Sequence, residues 1–344
     1  MTATDRPTAV GPGYHPREAM PARLLRRLAT TLLLVVGVSS AAFLVTHLAP
    51  GDVVQTTMGF GASQATIARA QHRIGLDRPL LVQWGAWLAG VARLDLGTSA
   101  LYQRPVGPLV AERALNTALL ATVAFLVALM LGIPPAFITA TRPRSLAAHL
   151  IRVASLVLLS LPPFVGSLAL VLVAARTGWF PAGGMTSAED ITGVALLADV
   201  LWHLPLPVAA LALPLAATFE RLQAQALTEA LEQPAILAAR ARGIPEPTIV
   251  RRHAWRLALK PVAAVAGLVF GALLSGSFVV EMVTAWPGLG RLTYDALLHR
   301  DLELVAGCAA AGALVLSVGL LLADMAIAWS DPRVRVHVAS EVRA

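Results

Sequence analysis

Six apolar runs of about twenty residues or more recur along this chain, and each is long enough to cross roughly 30 Å of hydrocarbon as a helix. They are Leu28–Leu48, Leu115–Ala140, Leu146–Ala175, Pro205–Leu222, Pro261–Val280 and Leu304–Trp329. In lipid every backbone N–H and C=O must be satisfied within the protein, which leaves helices as the reading for runs of this length. Pro162-Pro163 bends the third run and Pro214 kinks the fourth. With 57% hydrophobic and 14% charged residues, the chain reads as one all-α polytopic membrane domain over residues 28–330. Val38-Ser39-Ser40-Ala41 offers small residues at which a signal peptide is cut, but the first run continues past it to His47, so a retained first helix is expected.

Charge orients the runs. The net charge of +7 is a positive-inside signature rather than a nucleic-acid footprint in so apolar a chain. With the N-terminus inside, 17 Lys and Arg lie in inner segments and 8 in outer ones. This N-in, C-in arrangement makes residues 1–27 a basic, disordered cytoplasmic tail, 49–113 an external segment, 220–260 a cytoplasmic loop and 331–344 a cytoplasmic tail. Lys260, the single lysine, precedes Pro261, so no GxxxxGK[ST] phosphate loop exists here. One cysteine, Cys308, precludes an intramolecular disulfide or a cysteine metal cluster. The spans show no inverted repeat of the secondary-transporter kind.

The 220–260 loop holds a helical composition over 227–242, broken only by Pro234, and then Gly243, the residue a helix C-terminus favours. Beyond Pro245 and Pro247, Arg252, Arg256 and Lys260 recur at i, i+4, i+8, while Val250, Ala254, Leu257 and Ala258 fall on another face. A helix, a glycine and an amphipathic helix feeding a span make a lever that a cytosolic partner can push. On pattern alone, a loop lying on anionic headgroups stays open as well.

The residues of this loop resemble the coupling loop of binding-protein-dependent ABC importer permeases. Ala238, Ala239 and Gly243 match the two alanines and the glycine of the family motif, with Leu237 where its Glu stands. Ala239-Arg240-Ala241-Arg242-Gly243 and Arg252-His253-Ala254-Trp255 are similar to the ARAKG and RHAL patterns of the peptide and nickel branch, while Ala235 and Leu237 depart from the Tyr and Arg usual there. Further matches follow in order: Pro50-Gly51-Asp52; Gly75-Leu76-Asp77-Arg78-Pro79; Asp95-Leu96-Gly97-Thr98-Ser99; Glu281 with Trp286-Pro287-Gly288-Leu289-Gly290-Arg291-Leu292; Arg300-Asp301; and Asp331-Pro332-Arg333. The resemblance spans residues 22 to 336. It implies a type I importer permease fold and a translocation pathway for peptides or a related small solute such as a nickel chelate. It also implies a second permease, two ATPase subunits holding ATP and Mg, and an extracytoplasmic solute-binding protein, in the plasma membrane of a prokaryote. It assigns ATPase coupling to Ala238, Ala239, Arg240, Arg242, Gly243, Arg252 and His253.

The motifs also have plainer readings. PGD and PGLG are turn chemistry, so Glu281, Pro287, Gly288, Gly290 and Arg291 form an outer turn. Residues 79–94 place Leu80, Trp84, Trp87, Leu88 and Val91 on one face of an amphipathic surface helix. Polar groups at membrane depth, Asn116, Thr117, Thr122, Ser160, Ser275, Ser277 and Asp324, are functional candidates by default. Gly267 and Gly271 form a GxxxG pair that serves packing within the subunit or against a partner permease. Asn116, Ser160, Gly267, Gly271, Ser275 and Ser277 are thus candidates for the pathway or a subunit seam. No catalytic constellation or metal cluster is present, so the chain reads as a transport subunit without a cofactor of its own. A passive channel or a membrane-embedded enzyme is the alternative.

Overall fold

The computed structural model describes residues 20–48, 54, 63–188 and 192–330. The turn at Pro50-Gly51-Asp52, the closing Asp331-Pro332-Arg333 and most of both tails lie outside these residues. The first helix, α1, runs Met20–Leu48 and so begins inside the segment expected to be a tail. It is followed by α2 (Gln64–Ile74), α3 (Leu80–Val91), α4 (Val106–Thr141), α5 (Leu146–Ser160) and α6 (Pro163–Thr177). Then come α7 (Gly193–His203), α8 (Pro205–Leu231), α9 (Pro234–Ala241), α10 (Trp255–Gly276), α11 (Phe278–Val283), α12 (Leu289–Leu298) and α13 (Leu302–Ser330).

Four helical stretches, within α1, within α4, from Glu246 into α10 and within α13, are long and apolar enough to span a membrane; two broken pairs bring the number to six. The pair α5 and α6 bends by 104° at Leu161-Pro162, and α7 and α8 by 44° at Leu204. Both breaks carry a proline in the first helical position of the following segment, where its missing N–H costs nothing. Pro214, expected to kink the fourth span, lies inside α8 with helix on both sides of it. That helix runs nine residues past the expected end of its span, from Leu222 to Leu231.

Three pairings build the bundle: α4 with α8, α10 with α13, and α1 with α13. Small residues let the backbones close. An added Cβ at Gly132 would run into the carbonyl oxygen of Ala216, and one at Gly271 would lie 3.2 Å from the carbonyl carbon of Gly319. Leu120, Ala124, Ala128, Phe219 and Val262 form the core among α4, α8 and α10, with Trp286 fully buried at its outer edge. The amphipathic α3 presents the expected face: Phe43 of α1 stacks on Trp87 at 5.8 Å, and Trp84 Nε1 donates to Ser40 Oγ at 3.0 Å.

Candidate functional site

Residues predicted from separate motifs meet at two ends of the bundle. At one end, five of the residues expected to couple, Ala238, Ala239, Arg240, Arg242 and Gly243, are carried on α9 and the turn after it. Pro234 opens α9 and Gly243 ends it at φ +75°, the left-handed conformation glycine adopts without strain. Ile236 and Ala239 point inward onto a small core of Leu227, Ala230, Ile249, Ala254 and Ala258, which joins α9 to the foot of α8 and the start of α10. The opposite face, with Leu237 51% exposed beside Ala238, Arg240 and Arg242, faces outward. Arg240 spans the turn, donating to Glu246 from Nε at 3.0 Å and from Nη2 at 2.6 Å. That hydrogen-bonded pair holds the Arg240 guanidinium above its ordinary pKa.

The segment feeding α10 departs from a regular helix. Ile249–Ala254 forms a π-helix, preceded by one turn at Glu246–Thr248. Arg252 and His253 are exposed on it, as are Arg256 and Lys260 beyond it, while Val250, Ala254 and Ala258 are buried and Leu257 half-buried, as the spacing predicts. The basic stripe and the apolar face are therefore both present, joined through a wider turn.

At the other end, Glu281 is completely buried and gathers the turn at 285–291. Its Oε1 accepts from Thr117 Oγ1 at 2.8 Å and Ser277 Oγ at 2.6 Å; its Oε2 accepts from Gly290 N at 2.8 Å. Thr117 Oγ1 in turn accepts from Leu289 N at 2.8 Å. The carboxylate thus sits against the first turn of α12, where unpaired backbone N–H groups and the helix dipole favour negative charge. Any side chain at Gly288 or Gly290 would collide with that carboxylate, which explains both glycines. Around it, Asn116 Nδ2 donates to the Pro287 carbonyl at 2.9 Å and Trp286 Nε1 to the Asn116 carbonyl at 3.1 Å. Arg291 Nη1 donates to the carbonyl of Ala285 at 2.6 Å, whose φ of +54° is unusual for alanine.

A second clasp lies beside it. Ser99 Oγ donates to Asp301 Oδ2 at 2.7 Å, Leu101 N to the same oxygen at 3.0 Å, and Leu304 N to Asp301 Oδ1 at 3.2 Å. One aspartate therefore caps α13 and fixes the 95–101 loop. Gly97, at φ +86°, leaves no room for a side chain because the Glu303 carboxylate occupies that space.

The remaining candidates are scattered. Of the residues read from sequence as pathway or seam candidates, Ser277 donates its hydroxyl to Glu281 and Asn116 its amide nitrogen to the neighbouring Pro287 carbonyl. Ser160 Oγ donates back to the Leu156 carbonyl at 2.8 Å and lies apart from both ends. Gly271 packs on Gly319 of the same chain, so the small-residue seam has an intramolecular partner; Gly267 lies one turn before it on α10. The side chains of Ser275 and Asp324 lie outside the described set. Sequence reasoning missed Glu220, which the expected boundary at 220 places at the start of a loop. It is 3% exposed in α8, and it accepts from Thr139 Oγ1 at 2.6 Å and Ser155 Oγ at 2.9 Å. Among the described residues, no group of three or more His, Cys, Asp or Glu could hold a metal ion.

A short helix packed on two spans thus lies at one end, and a hydrogen-bonded turn at the other. Residues 113–336 match the model for the inner membrane component of binding-protein-dependent transport systems, and residues 20–103 match the model for the N-terminal part of such membrane components. The chain belongs to this family, the ABC importer permeases, in its peptide branch. It is 34% identical over 317 residues to the oligopeptide transport system permease protein AppB of Bacillus subtilis, covering 92% of this chain and 99% of that protein. It is 30% identical over 334 residues to the dipeptide transport system permease protein DppB of Alkalihalophilus pseudofirmus, covering 92% of this chain and all of that protein.

Proposed function

We propose that this chain is one of two permease subunits of an ATP-driven importer that moves peptides, or a related small solute such as a nickel chelate, across the plasma membrane of a prokaryote. Two cytosolic ATPase subunits hydrolyse ATP and an extracytoplasmic solute-binding protein delivers the substrate. The N- and C-termini lie in the cytoplasm, as does the 220–260 segment. The observation that carries this reading is α9: a short helix whose inner face is fastened to α8 and α10 while Leu237, Ala238, Arg240 and Arg242 are presented outward. Such a face fits a groove on an ATPase, and displacement of α9 is carried into two spans through the core formed by Ile236, Ala239, Ile249 and Ala254. Alternating access then follows as a shift between inward- and outward-facing arrangements driven by ATPase closure. Coupling rests on Ala238, Ala239, Arg240, Arg242, Gly243, Arg252 and His253.

The experiment is reconstitution. Together with a second permease, the ATPases and the binding protein, this chain should support peptide uptake that stops when ATP is withheld. The chain alone should give neither ATP hydrolysis nor solute flux. Flux through liposomes holding this chain alone would overturn the reading in favour of a passive channel.

A further inference from the structure

A cleft of about 340 Å³ opens between α5 and α8, at the end of the bundle that carries α9. Thr139, Arg152, Glu220, Arg221, Gln225 and Thr228 line it. Thr139 lies two residues before α4 ends at Thr141. Glu220 forms the floor, with one hydroxyl donating to each carboxylate oxygen. A carboxylate has about four acceptor positions, so two hydroxyls leave capacity for another donor. Among the described residues, no cation stands within ion-pair distance of it. Arg152, on the same cleft, directs Nη1 to the Pro143 carbonyl and Nη2 to the Thr139 carbonyl, each at 3.0 Å. Arg221 stands exposed at the rim.

Burying a carboxylate against dipoles alone is costly, and a cation brought to it offsets that cost. An ammonium at Glu220 leaves the other end of a small ligand beneath the Arg221 and Arg152 guanidiniums, which suit a carboxylate. One turn along α8, next to the cleft wall but not lining it, both side-chain polar atoms of the fully buried Gln223 lack a partner, so this layer of the helix holds more polar capacity than the described residues fill. We infer that the cleft is a substrate subsite on the inner side of the pathway, taking a short peptide with free termini: its ammonium on Glu220, its carboxylate on Arg221 and Arg152. This inference rests on the importer reading and deepens it. Leu156 and Ala224 supply the apolar wall for small side chains.

The test uses the assembled transporter in proteoliposomes, with Gln225→Cys as reporter. Cys308 is buried and is the only native cysteine of this chain, so impermeant maleimide label recovered on this subunit after the subunits are separated on a denaturing gel reports on position 225. Dialanine applied to the α9 side should slow labelling several-fold, whereas N-acetyl-dialanine amide should not. Protection should survive Glu220→Asp and be lost in Glu220→Gln. Arg221→Gln, at an exposed position, should weaken protection by dialanine, with protection read in each variant as the ratio of its labelling rates with and without peptide, because a cation one turn away also alters thiol reactivity. Equal protection by the blocked peptide, undiminished protection in both Glu220→Gln and Arg221→Gln, or protection by glycerophosphoethanolamine in place of dialanine would overturn the inference, the last assigning the cleft to lipid. Dialanine uptake measured on the same vesicles separates the two readings. Uptake without protection defeats the cleft alone, and no uptake by the unsubstituted complex defeats the peptide importer with it.

Discussion

Thr117 on α4 and Glu281 on α11 are 164 positions apart, and the threonine hydroxyl donates to the buried carboxylate at 2.8 Å while accepting from the Leu289 backbone. One hydroxyl thereby ties a spanning helix, the outer turn and the first residue of α12 into one unit. Replacing Glu281 by Ala leaves the Thr117 and Ser277 hydroxyls and the Gly290 N–H without their acceptor. An orphaned buried polar group costs about 1–3 kcal/mol. Glu281→Ala should therefore lower the melting temperature of the purified subunit markedly. Glu281→Gln, which retains one acceptor oxygen, should give a smaller loss. Equal melting of both variants and the parent would show that the clasp contributes nothing.

The seam between α10 and α13 makes a second prediction. Leu at position 271 would drive its side chain into the backbone of Gly319. Overpacking costs about 1–3 kcal/mol where neighbours can yield, and a glycine backbone in the facing helix yields less than a side chain. Gly271→Leu should be inserted into the membrane but recovered in reduced amount, with a lowered melting temperature. Because the partner lies within this chain, the defect should persist when the subunit is expressed alone. A defect confined to the assembled complex would assign the seam to subunit contact instead.

At Gly243 the space around an added Cβ is open, so only conformation opposes substitution. A non-glycine residue at φ +75° costs on the order of 1–2 kcal/mol, more when β-branched. Gly243→Val should leave the melting temperature of the spans nearly unchanged while lowering substrate-stimulated ATP hydrolysis in the reconstituted complex. Gly243→Asn, which tolerates the left-handed region better, should retain most of it. Full stimulation in the valine variant would show that the turn geometry is not needed for coupling.

Topology gives a prediction independent of transport. Cysteine at Ser187 should react with an impermeant thiol reagent from outside intact cells, and cysteine at Thr248 should react only after permeabilisation. Both positions are exposed in the subunit, so accessibility reports the side of the membrane rather than burial. Labelling at 248 in intact cells would reverse the orientation.

Span positions were legible because length and apolar composition are local properties, and the faces of α3 and of the segment entering α10 followed from helical spacing. Long-range pairing was not. Phe219-Glu220-Arg221 closes an apolar run and reads as the entrance to a loop; only Thr139 and Ser155, 81 and 65 positions away, make burial of that carboxylate tolerable. Asn116 and Ser277 read as pathway or seam candidates from their depth alone, and their partners, the Pro287 carbonyl and Glu281, were not legible in the sequence. Glu281 was visible as part of a turn, yet its role as acceptor for two hydroxyls and a helix N-terminus depends on α4, far away in sequence. The break in α5–α6 was legible in Pro162-Pro163, but not its 104° size.

The π-helix at Ile249–Ala254 has one more consequence. Successive residues of an α-helix are rotated by about 100° about its axis, from 3.6 per turn, so the residue accommodated in the wide turn fixes the azimuth of everything before it relative to everything after. Removing one residue there would permit an unbroken α-helix and turn α9 away from its seat on Ile249 and Ala254, although every side chain named for coupling would still be present. Length in this segment therefore matters as much as identity: a single-residue deletion acts as a change of gear phase between α9 and the span that follows it.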